Sequence, residues 1–98
     1  MKRKEVLKQA EELTTTDRQD SYGAPYLNHL RIAQLWSAYL ETQITPEQVA
    51  VCQVLVKISR SMESFKEDNF IDGAAYLAIA CELAEIAQRQ GKTPASDK

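Results

Sequence analysis

The strongest constraint on the fold of this chain is a pair of apolar segments, at residues 46–62 and 70–90, separated by a short polar connector. Apolar side chains recur through both segments at spacings of three and four, which is the period of an α-helix. The first segment opens with Thr45, Pro46 and Gln48, a pattern typical of an N-cap, a first-turn proline and a capping box. The two segments therefore predict a helical hairpin.

Two more segments with the helical period precede this hairpin. Residues 4–13 carry one apolar stripe among Lys, Gln and Glu, and residues 25–41 open with Pro25, which suits the first position of a helix. Between them, residues 14–25 form a polar run closed by a Gly and a Pro, which predicts a loop. The chain thus contains four predicted helices.

The end of the chain has its own signals. Gly91 follows Arg89 and predicts the end of the last helix, and residues 92–98 have the composition of a disordered tail. We therefore expect an all-α protein, a four-helix bundle that forms a single domain over residues 1–91 with a disordered tail at 92–98.

The third and fourth helices are the most apolar. The third is apolar nearly all round, which predicts a central position in the bundle. The fourth carries small residues that would let another helix approach closely. These are Gly73, Ala74, Ala75, Ala78 and Ala80. A chain of 98 residues cannot cover so much apolar surface alone, so we expect a homodimer or a larger homo-oligomer.

Composition excludes several classes of protein. The chain has 12 basic and 14 acidic side chains, and a net charge of -2 argues against a protein that coats duplex nucleic acid. Cys52 and Cys81 lie in apolar runs without a CxxC pair, which favours two reduced core thiols. No apolar segment is long enough to span a bilayer, and the basic start resembles no secretory signal. We expect a cytoplasmic protein with no membrane partner.

Charged residues concentrate where the third helix ends and the fourth begins. Lys57 and Arg60 lie three residues apart, and Asp68, Asp72 and Tyr76 follow one another at spacings of four. On helices, each set shares one face, so two cations are predicted to face two carboxylates across a short turn.

Structural explanations of these residues remain open. Lys57 and Arg60 would complement the dipole at a helix C-terminus, and either Asp68 or Asn69 could be the N-cap of the fourth helix. All of them could also form a buried ion-pair lattice between helices. The alternative is a binding site.

A nucleotide is the ligand that these residue types favour. Phosphate oxygens need charge-assisted donors, and the candidates are Arg18, Lys57 and Arg60. A base or ribose needs an aromatic face and amide or carboxylate partners, and the candidates are Tyr22, Asn28, Asn69, Tyr76, Asp68 and Asp72. We therefore predict a nucleotide or cyclic-nucleotide-like ligand and no cofactor, although the loop that holds Tyr22 could equally be a plain connector. His29 is more typical of a structural residue.

An enzyme that hydrolyses a nucleotide would need more carboxylates than a binding site does. Asp68 and Asp72, one helical turn apart, could bind one magnesium ion together with substrate phosphates. Hydrolysis usually requires further carboxylates on a facing helix. The candidate pairs are Glu11 with Glu12, Asp17 with Asp20, and Glu82 with Glu85. The first pair is adjacent and so diverges, and the last lies too far along the same helix. The residues leave it open whether the protein is an enzyme.

Several of these residues also form a recognisable series. It consists of Arg18, Tyr22-Gly23, Pro25, Asn28, Ile32-Ala33, Trp36, Lys57, Arg60, Asp68-Asn69, Asp72 and Tyr76. The series resembles a family of short phage and prophage proteins of unknown function. It is more remotely similar to the phage nucleotide-modification-associated domain and to the all-helical MazG-like nucleotide pyrophosphohydrolases.

The chain departs from that family pattern at three positions. It has Ala24, His29 and Ala75 where the family has an acidic residue, an aromatic residue and a Gly. The paired acidic helix motifs that carry magnesium in MazG-like enzymes have no convincing counterpart here. The resemblance therefore implies a nucleotide-related role in phage biology, inside the bacterial host cell, more strongly than it implies catalysis.

Three functions follow, in this order. The first is a phage or prophage protein that binds a nucleotide or nucleotide-derived signal and sequesters it from host defence. The second is a magnesium-dependent MazG-like nucleoside triphosphate pyrophosphohydrolase with Asp68 and Asp72 as metal ligands. The third is an inhibitor that blocks a host protein by surface contact.

Overall fold

The computed structural model describes residues 1–15 and 25–91, and within them every regular element is an α-helix, with no strand. The helices are α1 (Arg3–Thr15), α2 (Pro25–Leu40), α3 (Pro46–Glu63) and α4 (Glu67–Arg89). Over these described residues, the prediction of an all-α fold with four helices is confirmed. Arg18, Tyr22 and the predicted disordered tail at 92–98 lie outside the described residues.

Side-chain hydrogen bonds fix the ends of two helices. At the start of α3 the hydroxyl of Thr45 accepts a bond from the backbone N–H of Gln48 at 3.2 Å, and the side chain of Gln48 accepts from the N–H of Thr45 at 2.9 Å. The predicted capping box is confirmed. At the end of α1, the hydroxyls of Thr14 and Thr15 donate to the carbonyl of Glu11 at 2.8 and 2.9 Å. These bonds form within a continuous helix. Helix α1 runs two residues past its predicted end.

The start of α4 differs from the prediction. The N-cap is Lys66, which makes no side-chain capping bond, and the helix begins at Glu67, three residues earlier than predicted. Asp68 and Asn69 are therefore inside the first turn, and neither is the cap. Because negative charge near a helix N-terminus interacts favourably with the helix dipole, Glu67 and Asp68 stabilise this start without capping it.

Left-handed residues end two helices. Glu41, directly after α2, has a φ of 53°, and Gly91, two residues after the end of α4, has a φ of 70°. The N–H of Gly91 donates to the carbonyl of Gln88 at 3.1 Å, so the predicted glycine stop is confirmed.

Helix α4 is the centre of the packing. It packs against α3 and α1, while α2 packs on α3. One buried cluster joins α3 and α4 through Ala50, Ile79, Ala80 and Leu83. A second cluster joins α1 and α4 through Ala10, Ile71 and Ala75. Several of the contacting residues are alanines, so the helices approach closely, as the small residues of α4 predicted.

Helix α3 lies between α4 and α2, as predicted for a central helix, but it is covered on only part of its surface. Only Val49 and Ala50 of α3 are buried, whereas Leu55, Val56 and Ile58 are exposed. An apolar circumference shows that a helix could be covered on all sides, but coverage requires neighbours, and α3 has them on only part of its surface.

The prediction that Cys52 and Cys81 are core thiols is wrong, because both side chains are free and exposed. The apolar runs that hold them face outward at these positions. None of the helices in the described ranges has the length and apolar character needed to cross a bilayer.

Candidate functional site

A groove lies between α1 and α4. Its volume is about 710 Å³, within the range of pockets that hold small molecules. Polar side chains from both helices line most of it, above an apolar floor. The lining residues are Glu5, Lys8, Gln9, Glu12, Leu13, Asp68, Ile71 and Asp72.

The α1 side of the groove consists of one polar stripe. Glu5, Lys8, Gln9 and Glu12 recur at helical spacing, so they project from one face of α1. Sequence reasoning missed the first three and paired Glu12 with Glu11, although Glu11 does not line the groove. The sequence signal for these residues was the helical spacing of the polar side chains, beside the apolar stripe that packs α1 onto α4.

The α4 side of the groove carries the two predicted carboxylates. Asp68 is exposed and Asp72 is half-buried, and they lie one turn apart above the buried side chain of Ile71. Carboxylates of α4 therefore line the same groove as Glu5 and Glu12 of α1. Among the described residues, four carboxylates and one ammonium group, that of Lys8, line the groove.

An ion pair connects this groove to α3. The Nζ of Lys57 lies 2.9 Å from a carboxylate oxygen of Asp72, and the two side chains are only 16% and 23% exposed. The structure thus brings together three of the predicted site residues, Lys57, Asp68 and Asp72. Lys57 and Asn69 also line a second, smaller groove of about 200 Å³ between α3 and α4.

Three other predicted residues lie elsewhere. Arg60 is exposed, forms no ion pair with another described residue and lines neither groove. Tyr76 is half-buried and makes an edge-to-face contact with the ring of His29, with centroids 6.4 Å apart. Asn28, next to the buried His29, is half-buried at the start of α2. The structure therefore places Tyr76 and Asn28 near the α2 contact and outside the carboxylate groove.

The residues that line the groove could hold a metal ion only through one or two protein ligands. In the ranges 1–15 and 25–91, no three His, Cys, Asp or Glu side chains are grouped closely enough to hold one ion. Asp72 is already paired with Lys57. Magnesium that remains coordinated by phosphates and water needs only one or two carboxylates, and Asp68 with its neighbours can supply them.

Comparisons with known proteins identify relatives of the chain. A family model described as a domain of unknown function, DUF6378, matches residues 5–84. The Gene 55 protein of Mycobacterium phage L5 is 42% identical over 76 residues, which are 76% of this chain and 49% of that protein. The Gene 55 protein of Mycobacterium phage D29 is 36% identical over 81 residues, which are 82% of this chain and 54% of that protein.

The chain thus spans about half the length of the curated relatives that it matches. No solved structure matches it. The predicted resemblance to a phage family of unknown function is confirmed, while the more remote similarity to MazG-like enzymes and to the nucleotide-modification domain stays a prediction. With four-fifths of its length inside the family model and two phage proteins as relatives, the chain belongs to the DUF6378 family.

Proposed function

We propose that this chain binds a nucleotide, as its magnesium complex, in the groove between α1 and α4. The observation that carries the proposal is the groove itself, which has the volume of a small-molecule pocket, about 710 Å³, and carboxylates on both walls. The relatives are phage proteins, which supports a role in phage biology, and the role we propose is to sequester a nucleotide signal from host defence.

The charge of the groove determines the form of the ligand. Among the described residues that line the groove, carboxylates outnumber the ammonium group of Lys8, and such an excess of negative charge would repel a free phosphate group. Near a protein surface, two like unit charges roughly 4 Å apart repel by about 4 kcal/mol. A magnesium ion bound to the phosphates reverses this, because it attracts the carboxylates while it neutralises the nucleotide.

Each wall has a distinct part in the proposal. Of the two carboxylates that α4 contributes to the groove, Asp68 is the more exposed, and it approaches the metal. Lys8 donates to a phosphate oxygen. Lys57 acts indirectly, because its ion pair holds Asp72 in a fixed position beside Asp68. The amide of Gln9 and the apolar floor formed by Ile71 suit a ribose or a base.

Calorimetric titration with mononucleotides and cyclic nucleotides, each with and without magnesium, tests this proposal. We expect binding that requires magnesium, and we expect Asp68→Asn to weaken it at least about tenfold because the variant removes the exposed carboxylate. The matched control is Glu85→Gln, which removes a carboxylate of the same helix at a position 70% exposed and outside the groove.

The outcomes are clearly separated. Affinity that is unchanged in the Glu85→Gln variant and reduced in the Asp68→Asn variant supports the groove as the binding site. Equal effects of the two substitutions, or no heat of binding with any nucleotide at millimolar concentration in the presence of magnesium, would overturn the proposal.

One observation favours a second candidate, magnesium-dependent hydrolysis of a nucleoside triphosphate. Carboxylates of two different helices line one groove, and carboxylates on facing helices favour a metal ion that activates water for attack on a phosphate. Chromatography of each triphosphate after incubation with the protein and magnesium distinguishes turnover from binding. Release of pyrophosphate or phosphate that disappears in Asp68→Asn would support the enzyme, and intact triphosphate at stoichiometric binding would support sequestration.

A further inference from the structure

A second surface of the molecule is apolar and uncovered. Besides Val56, six large apolar side chains are exposed along α3, the following connector and the first half of α4, from 47% for Ile58 to 82% for Met62. We refer to them together as the α3–α4 apolar face. Its members are Leu55, Ile58, Met62, Phe65, Phe70 and Leu77.

These side chains form one continuous surface. Ile58, Phe70 and Leu77 line the same groove of about 200 Å³ between the two helices. The rings of Phe65 and Phe70 are in contact, with centroids 6.0 Å apart. On α3, Ile58 follows Leu55 by three residues and Met62 follows Ile58 by four, so all three project from the same side of the helix.

The size of the face is that of a protein interface. With large apolar residues exposing about 200 Å² each when free, these exposed fractions correspond to roughly 700 Å² of apolar area. The largest apolar patch on a typical monomer is about 300–600 Å². A stable dimer buries about 800 Å² per partner, so the face supplies most of what a dimer needs.

The described helices leave this face uncovered. Residues 16–24 and 92–98, which the structure does not describe, contain a single large apolar side chain, Tyr22. One ring is too small to cover six exposed apolar side chains on two helices. An apolar surface of matching size is the partner that the face fits.

The charges at the edge of the face favour a second copy of the chain. Glu63 and Lys66, both exposed, flank Phe65 with opposite signs. A twofold axis that passes beside Phe65 would bring each subunit's Glu63 towards the other subunit's Lys66, which makes this edge complementary to itself. We propose that two copies of the chain pack through their α3–α4 apolar faces as a twofold homodimer. This inference does not depend on a ligand in the groove between α1 and α4.

Sedimentation equilibrium of the full chain tests the proposal, with a mass twice the 11.1 kDa of one chain as the expected result. The variant Met62→Glu places a charge on the apolar face at a residue 82% exposed. Its matched control, Tyr39→Glu, does the same on α2 at a residue 87% exposed. We expect the first variant to raise the dimer dissociation constant at least about tenfold and the second to leave it unchanged.

A second pair of variants shows whether misfolding, rather than loss of the interface, explains a loss of dimer. Leu77→Glu and Leu35→Glu change residues that are 56% and 69% exposed, on the face and on α2 respectively, and circular dichroism confirms that each variant keeps its helices. A wild-type chain that sediments as a monomer at high concentration would overturn the proposal. So would folded face variants that dimerise as well as their α2 controls, or α2 variants that dissociate instead.

Discussion

At the residue scale, the ion pair between Lys57 and Asp72 is the feature that most shapes the site. It joins α3 to α4 at 2.9 Å, and neither side chain is more than 23% exposed. The pair between Arg89 and Glu85 is different in kind, since its atoms are 3.9 Å apart and both side chains are 70% exposed. Water screens the second pair far more than the first.

A double-mutant cycle measures that difference. We expect Lys57→Ala and Asp72→Ala to show a coupling free energy of about 1 kcal/mol or more in urea unfolding, because the pair is largely removed from solvent. The corresponding cycle on Glu85 and Arg89 serves as the control and should give less than about 0.5 kcal/mol. Equal coupling in the two cycles would mean that burial does not strengthen the Lys57 pair.

At the element scale, the start of α3 is the best-defined helix end in the chain. Two reciprocal hydrogen bonds between Thr45 and Gln48 form its capping box. Just before it, the hydroxyl of Ser37 accepts a hydrogen bond from the N–H of Ile44 at 2.8 Å, which ties the connector to α2. The connection between α2 and α3 is therefore held by side chains rather than by packing alone.

Removal of the cap has a predictable cost. Thr45→Ala leaves the N–H of Gln48 without its side-chain acceptor, and we expect the free energy of unfolding to fall by about 1 kcal/mol in urea titration. Thr42→Ala is the control, because Thr42 is exposed and its side chain makes no hydrogen bond among the described residues. A similar loss in both variants would show that the box contributes nothing beyond ordinary threonine packing.

The start of α4 shows where local signals mislead. Asp68 and Asn69 are good N-cap residues, yet the helix begins before them, at Glu67. Capping preference ranks residue types but does not compel a helix to start at the first one available. The ring contact between Phe65 and Phe70, across this start, is not readable from capping rules.

At the scale of the whole molecule, the first helix is docked on the last. The cluster formed by Ala10, Ile71 and Ala75 joins α1 to α4, and the amino group of Met1 lies 2.8 Å from a carboxylate oxygen of Glu67. The hydrogen bond and the charge of Glu67 raise the pKa of this amino group above its ordinary value of 8.0. Docking of α1, which forms one wall of the carboxylate groove, is thereby linked to pH.

The direction of this pH dependence follows from the raised pKa of the Met1 amino group. Since the folded-state pKa is raised, the contact stabilises the fold below the ordinary value of 8.0 and is lost as the pH rises through the raised pKa. We expect the urea midpoint to fall between neutral and alkaline pH. Glu67→Gln, which removes the partner carboxylate, should weaken that dependence. An identical pH profile in the variant would show that the contact does not contribute to stability.

Some of the fold and of the site was readable in the sequence. The apolar period located all four helices, and the spacing of Lys57, Asp68 and Asp72 predicted their convergence. The same reasoning did not place Glu5 and Lys8 opposite Asp68, because it treats each helix alone. Which face of α1 meets α4 depends on the packing of Ala10 against Ile71.

The sequence by itself determined the helices, the capping box at Thr45 and the glycine stop at Gly91, since these depend on interactions between residues a few positions apart. Only the tertiary structure decided that α4 contributes to both buried clusters and that the apolar side of α3 remains exposed. It also decided which carboxylates share a groove. The physical reason is that burial is a property of the neighbours a helix acquires on folding, and a helix's own sequence specifies only the surface that is available to them.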